Sequence, residues 1–330
     1  MKRPKIVNGK GTDLSNKEPL KKRAQKKLIT QVRVLSLIDV AKRKGVNDHK
    51  IISYWNTYNC LGKVYTDKGR LYGRYCKNRF CTVCCAIKKA DIILKYLPHI
   101  QTWKDPHFVT LTVKSVHANE LSKMMDDMFK RFTAIKDKFR KWHSRGKSIK
   151  LVGVKSLECN FNPVRHWYNP HFHLIVPDKA TANILVQEWK KYWGYKIAGS
   201  KGQDIRKVTN PEKCMIEVIK YGVKTFTDPD MNKDKKTKER KPGIIYAAAL
   251  HNIIWAMKGH RIFERFGFNL PKLGTEKPND VTELHSYKEW LYDIKSTDWI
   301  SEDSTQPLTE YKPSPLLAAI LENCVDEVLE

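Results

Sequence analysis

Apolar side chains recur along this chain at two distinct periods. Leu121, Met124, Met125, Met128, Phe132, Ile135, Phe139 and Trp142 return every three or four residues, which sets them on one side of a long helix. Residues 108–113 are apolar and β-branched and predict a buried strand, and 150–161 and 171–176 predict two more. Asn162, Pro163, Asn169 and Pro170 mark a loop or hairpin between the last two. Residues 181–193 predict a second helix. Thr209-Asn210-Pro211 reads as a cap followed by proline at the first helical position, so a third helix is expected over 211–226. Residues 227–243 are charged and predict a loop. Residues 244–258 predict an apolar, packed helix ended by Gly259. Upstream, 30–43 and the basic stretch 86–97 also have helical spacing. Residues 1–30 are rich in lysine and poor in apolar groups, and are expected to form a mobile basic arm. No internal repeat is visible. The order strand–helix–strand–strand–helix–helix predicts an α+β fold, with a central, mostly antiparallel sheet flanked by helices.

Charge adds a partner to this picture. The 330 residues carry a net charge of +27. Residues 271–330 hold 13 acidic and 5 basic groups, net −8, which leaves +35 on the first 270. A body this basic makes a polyanion the default partner. No apolar run is long enough for a membrane helix, and no signal-like apolar stretch opens the chain, so a soluble cytoplasmic protein with no membrane partner is expected. The expected organisation is a basic arm and helix over 1–57, a cysteine-rich module over 58–97, a sheet domain over 98–270 and an acidic tail over 271–330. Leu316, Leu317, Ile320, Leu321, Val325 and Leu329 give the tail the spacing of a short amphipathic helix.

The sharpest chemical pattern is His171-Phe172-His173 on the third strand. Alternate strand residues share a face, so the two imidazoles point the same way and can chelate one divalent ion. If Glu158 on the preceding strand pairs opposite them, its carboxylate reaches the same ion. The same residues also suit a plain sheet edge whose histidines are satisfied by hydrogen bonds. On the third helix, Glu217, Lys220, Tyr221 and Lys224 share one polar side. A tyrosine hydroxyl is a poor nucleophile until activated; lysines lower the cost of the phenolate, and a glutamate one turn away can take up a proton. A surface helix with a Glu–Lys pair has the same pattern.

Five of the eight cysteines lie within 26 residues. Cys76, Cys81 and Cys84, with Cys60 sixteen residues before Cys76, can supply four thiolates to a tetrahedral Zn²⁺. The two-residue spacer after Cys81 favours Cys84 over Cys85. Reduced core cysteines are the plainer alternative, and Cys159, Cys214 and Cys324 read as structural. Arg74, Lys77, Arg79, Lys88 and Lys89 surround the cluster with Tyr72, Tyr75 and Phe80 interleaved, a composition suited to phosphates and bases of DNA.

Taken together, these motifs resemble the HUH endonucleases, specifically the rolling-circle plasmid replication initiators with one catalytic tyrosine. The resemblance rests on Phe108-Val-Thr-Leu-Thr-Val113, Pro170-His-Phe-His-Leu-Ile-Val176, Glu217-Val-Ile-Lys-Tyr-Gly-Val-Lys224, and Ala256-Met-Lys-Gly-His-Arg-Ile-Phe263 with Gly267. It covers residues 58–270 and departs at Asn169-Pro170, where many relatives have a further histidine; His166 is a spare candidate ligand. It implies a ferredoxin/RRM-like HUH domain preceded by the zinc module. It further implies that Tyr221 attacks the scissile phosphate of single-stranded origin DNA, with Mn²⁺ or Mg²⁺ held by His171, His173 and Glu158. Glu217 would serve a water-mediated second cleavage, and Lys220 and Lys224 would stabilise charge. A homodimer and host helicase and polymerase are the partners it implies. A transposase or relaxase of the same chemistry, or a non-catalytic zinc-containing nucleic-acid-binding protein, are the competing readings.

Overall fold

The computed structural model describes residues 5–8, 11–45, 48–220, 244–270, 281–315 and 318. The chain opens with short strands β1 (Lys5–Asn8) and β2 (Thr12–Asp13), followed by helices α1 (Lys17–Arg43) and α2 (Asp48–Tyr58). A tight hairpin joins β3 (Lys63–Asp67) to β4 (Arg70–Gly73), with Lys68 and Gly69 both at positive φ as such turns require. Then come α3 (Thr82–Ile100), β5 (His107–Thr112), α4 (Ala118–His143), β6 (Gly153–Asn162) and β7 (Trp167–Val176). The chain continues through α5 (Lys179–Trp193), β8 (Asp204–Lys207), α6 (Pro211–Lys220), α7 (Ile244–Ala256), β9 (Phe263–Phe266), β10 (Val281–Leu284), β11 (Lys288–Asp293) and β12 (Asp298–Ser301). Among the described residues no helix is long and apolar enough to cross a membrane.

Residues 87–271 form one compact unit. Its centre is an antiparallel sheet in the order β8-β5-β7-β6-β9. Strand alternation sorts the side chains onto two faces. Leu111, Leu157, Phe172 and Leu174 pack against Met125, Met128, Phe132 and Ile135 of α4 and Leu185 and Trp189 of α5. On the opposite face Phe108, Val154 and Ile175 meet Met215 and Val218 of α6 and Tyr96 and Ile100 of α3. Each large apolar side chain buried in these layers contributes roughly 1.5–3 kcal/mol. The fold is therefore α+β with a helix-flanked antiparallel sheet.

Residues 1–86 and 272–330 form the other unit, and the division falls inside α3. Its sheet runs β12-β11-β3-β4-β2, and β1 pairs separately with β10. Leu20, Ala24, Leu61, Val64, Leu71 and Trp299 share one core. The Trp299 indole donates to the Leu61 carbonyl at 2.7 Å, and the buried Asp298 carboxylate accepts from both the amide and the hydroxyl of Thr309.

Several elements depart from the pattern read in the sequence. Residues 17–30 are helical, not an arm: Leu20, Ala24, Lys27, Leu28 and Gln31 form one buried stripe at helical spacing. The lysine content hid it because Lys27 itself occupies a core position, its ammonium donating to the Tyr58 carbonyl. The acidic C-terminal region supplies strands β10 to β12. β7 begins at Trp167, so Pro170 lies within a strand; β5 pairs with β7 only as far as His171, so Pro170 needs no amide donor there. The expected loop over 227–243, the third helix beyond residue 220 and the tail helix at 316, 317 and 319–330 lie outside the described residues.

Candidate metal centre

The β6–β7 register sets Glu158 directly opposite His171, and Ser156 opposite His173. All three candidate ligands therefore stand on one face of the sheet and converge. The Nε2 atoms of His171 and His173 lie 2.9 Å and 2.8 Å from the same carboxylate oxygen of Glu158. The three ligand atoms fall within 4.8 Å of one another, and all three residues are buried. The imidazoles are perpendicular, with centres 4.6 Å apart.

Outer contacts hold the rings in place. His171 Nδ1 donates to the Asn169 carbonyl at 3.0 Å. A carbonyl only accepts, so this bond places the proton on Nδ1 and leaves Nε2 to face the Glu158 side. His173 Nδ1 is 3.2 Å from the hydroxyl of Thr110, its register partner on β5. Burial raises the Glu158 carboxyl, but hydrogen bonds and charge from His171 and His173 outweigh it and hold the group below the ordinary carboxylate range. Burial pushes His173 below its ordinary value, against the opposing pull of Glu158. Two inward imidazole nitrogens and one ionised carboxylate form a mixed N/O donor set that suits Mn²⁺ or a similar divalent ion.

Helix α6 lies against this face. Asn210 Oδ1 accepts from the Lys213 amide at 2.9 Å, Pro211 takes the first helical position, and Met215 and Val218 are the fully buried pair. Glu217 binds Arg206 at 3.1 Å. The Arg206 guanidinium stacks over Phe108 at 4.3 Å, and Phe108 in turn packs 5.2 Å from His173. Arg206 was not legible in the sequence, because Asp204–Lys207 is a short charged strand that resembles loop. Thr110 and Asn169 were missed as well, since only the register reveals what they touch. The Lys220 side chain, Tyr221 and Lys224 lie outside the described residues. His166 sits at positive φ in the β6–β7 turn, edge-on to Phe161, and does not join the three ligands.

In the other unit Cys60, Cys76, Cys81 and Cys84 form a second cluster with ligand atoms within 4.8 Å of one another. The Cys60–Cys84 and Cys76–Cys84 sulfurs are 3.6 Å and 3.7 Å apart. Backbone amides point at the sulfurs: Cys76 at Cys60, Lys77 at Cys84 and Asn78 at Cys76, all at 3.3–3.4 Å. Such donors stabilise thiolate. Hydrogen bonds from Cys60, Cys76 and Cys84 lower the Cys81 thiol well below its usual range. Cys85 turns away, its sulfur 2.8 Å from the Arg79 carbonyl. Cys159 and Cys214 stand apart from the cluster, and burial pushes both thiols up, Cys214 to about 12. Arg74, Lys77, Arg79 and Lys88 are exposed and Lys89 is half-buried.

No family model matches the chain, and no solved structure does. Curated proteins do. The chain is 31% identical over 219 residues to "Protein rep" of Staphylococcus aureus, covering 59% of this chain and 90% of that protein. It is 26% identical over 171 residues to "Protein rep" of Bacillus sp and 25% identical over 189 residues to "Protein rep" of Bacillus amyloliquefaciens. It spans about half the length of these two Bacillus relatives, 54% of each.

Proposed function

The chain belongs to the Rep family of its staphylococcal relative, and from that premise we propose that it initiates rolling-circle plasmid replication by nicking one strand of origin DNA. The observation that carries this reading is the meeting of Glu158, His171 and His173 at one buried point beneath α6, whose last residue directly precedes Tyr221 in sequence. In this reading the sheet is an HUH, ferredoxin/RRM-like scaffold, and Cys60, Cys76, Cys81 and Cys84 hold a structural zinc.

Glu158, His171 and His173 are the residues that would hold Mn²⁺ or Mg²⁺, which when bound supplies Lewis-acid polarisation of a phosphate oxygen. Tyr221 is the nucleophile. Its oxygen bonds to phosphorus, the P–O3′ bond breaks, the 5′ end stays on the tyrosine and the freed 3′-hydroxyl primes synthesis. Lys220 and Lys224 stabilise the charge of the phenolate and the phosphate. At the end of the round Glu217 accepts a proton from the water that attacks the regenerated nick site; the P–O3′ bond there breaks, and the released 3′-hydroxyl displaces Tyr221 from the phosphotyrosine and closes the strand. Arg206 positions Glu217 through their ion pair. Arg74, Lys77, Arg79, Lys88 and Lys89 contact DNA phosphates.

The test is conversion of a supercoiled plasmid carrying the replicon's own origin. The protein with Mn²⁺ is expected to yield nicked circles, and chelation is expected to abolish them. A plasmid that stays supercoiled with folded, metal-loaded protein would contradict the reading.

A further inference from the structure

Five cations line one groove on the unit that carries the His pair. The groove runs between α3 and the edge strand β9, has a volume of about 810 Å³, and is bordered by Lys88, Lys95, Lys150, Arg261 and Arg265. Lys88 and Lys95 are seven residues apart on α3, so they share a helix side about 10 Å apart. All five are exposed. Two carboxylates also line the groove. That of Glu264 is already engaged by Lys136 at 3.1 Å and Lys155 at 3.4 Å, so Asp91 alone opposes the five cations. Tyr96, Phe263 and Phe268 form an apolar floor. Arg265 is held in place by an Nε–H bond to the Phe268 carbonyl at 3.0 Å.

The groove shares a sheet face with the metal centre. Arg265 pairs opposite Val154 on β6, and Glu158 lies four residues along that strand on the same side, about 13 Å away. A volume of this order matches a pocket for a small ligand and has room for a short run of one strand. Clustered cations beside aromatic rings are the chemistry of single-strand binding.

We propose that the α3–β9 groove binds the phosphate backbone of single-stranded DNA flanking the nick site. The proposal rests on the nicking reading for the identity of the strand, but its test needs no chemistry. It unites Lys88, already assigned to DNA phosphates, with Lys95, Lys150, Arg261 and Arg265, four residues to which the nicking scheme gives no role.

The experiment measures binding of the full chain to oligothymidylate and to a duplex of equal length, with no added Mn²⁺ or Mg²⁺, across a salt series. The triple change Lys95→Ala, Lys150→Ala and Arg261→Ala is compared with wild type and with a charge-keeping variant, Lys95→Arg, Lys150→Arg and Arg261→Lys. For the alanine variant on the single strand, the slope of log K against log salt should shrink by about 0.7 per lost contact, about 2 in all. The charge-keeping variant should restore it. Unchanged slope and affinity, or an equal loss on duplex, would overturn the proposal. An alanine variant whose thermal melt differs from wild type is replaced by the three single changes, each expected to shrink the slope by about 0.7. Failure of nicking with this slope change intact would strike the nicking reading alone, and the reverse would strike the groove alone.

Discussion

Glu158 and His171 face each other across the β6–β7 ladder, with the imidazole Nε2 2.9 Å from the carboxylate oxygen that His173 also contacts. Three inward donors at one buried point predict a single divalent-ion site. Calorimetry should show one Mn²⁺ bound, with affinity reduced at least tenfold in His171→Ala, His173→Ala or Glu158→Gln. Affinity should also fall as pH drops below the ordinary imidazole range, because a proton competes for the His173 nitrogen, whose titration burial displaces downward. The Glu158 carboxyl, held below its ordinary range, gives up its charge only at still lower pH. Equal Mn²⁺ affinity in all three variants would place the ion elsewhere.

The four clustered thiols make a different prediction. Cys81→Ser should purify with little zinc and melt at lower temperature, whereas Cys85→Ser should keep its zinc, because Cys85 bonds the Arg79 carbonyl outside the cluster. Metal analysis of the two proteins decides it. Full zinc in Cys81→Ser would show that Cys81 is not a ligand, and a wild type without zinc would mean the cluster is a reduced core.

Lys155 is fully buried, with its ammonium 4.0–4.9 Å from the ring centres of Phe129, Phe132 and Phe172. Burial pushes its pKa down to about 8, with Glu264 pulling the other way. The unfolded chain titrates near 10.5, so between these values the unfolded state binds the extra proton and stability rises with pH. Lys155→Met should flatten part of that rise, because it removes a group that binds its proton more weakly in the folded state. Lys27, also pushed down to about 8 by burial, keeps the remainder. Denaturant titrations at neutral and alkaline pH measure the difference; an unaltered pH profile in the variant would contradict it.

Gly267 sits at φ +76°, and a Cβ there would fall 1.9 Å from the Leu151 carbonyl oxygen. Gly267→Ala should cost at least about 2 kcal/mol. Gly146 has a similar φ of +68° and open space around it, so Gly146→Ala should cost only about 1 kcal/mol. Thermal melts of the pair separate collision from backbone strain. Equal losses would show that the chain yields around Gly267.

How much of this was legible in the sequence depends on where the information resides. The α4 stripe and the His171–His173 alternation are local patterns, so spacing alone revealed them. Glu158 needed its pairing partner, which spacing suggests and only the register supplies. Lys27 shows the opposite failure: a charged residue in a core stripe disguised the first half of α1 as a solvated arm. The strands around Trp290 and Trp299 were obscured by the acidic charge of their region, although both tryptophans pack onto the core beside Leu61 and Val64. Arg206 could not be found by any local rule. Its place is set by pairing with Phe108 on a neighbouring strand and by an ion pair to a helix that follows it.

The central claim is that Tyr221 becomes joined to DNA in a reaction that needs the His pair. The most direct measurement is a denaturing gel, followed by peptide mapping, of protein incubated with Mn²⁺ and a single-stranded oligonucleotide spanning the origin nick site. The account predicts a covalent adduct on Tyr221 in the wild type and none in Tyr221→Phe or in His171→Ala/His173→Ala. An adduct that persists in Tyr221→Phe, or that maps to another residue, would contradict it.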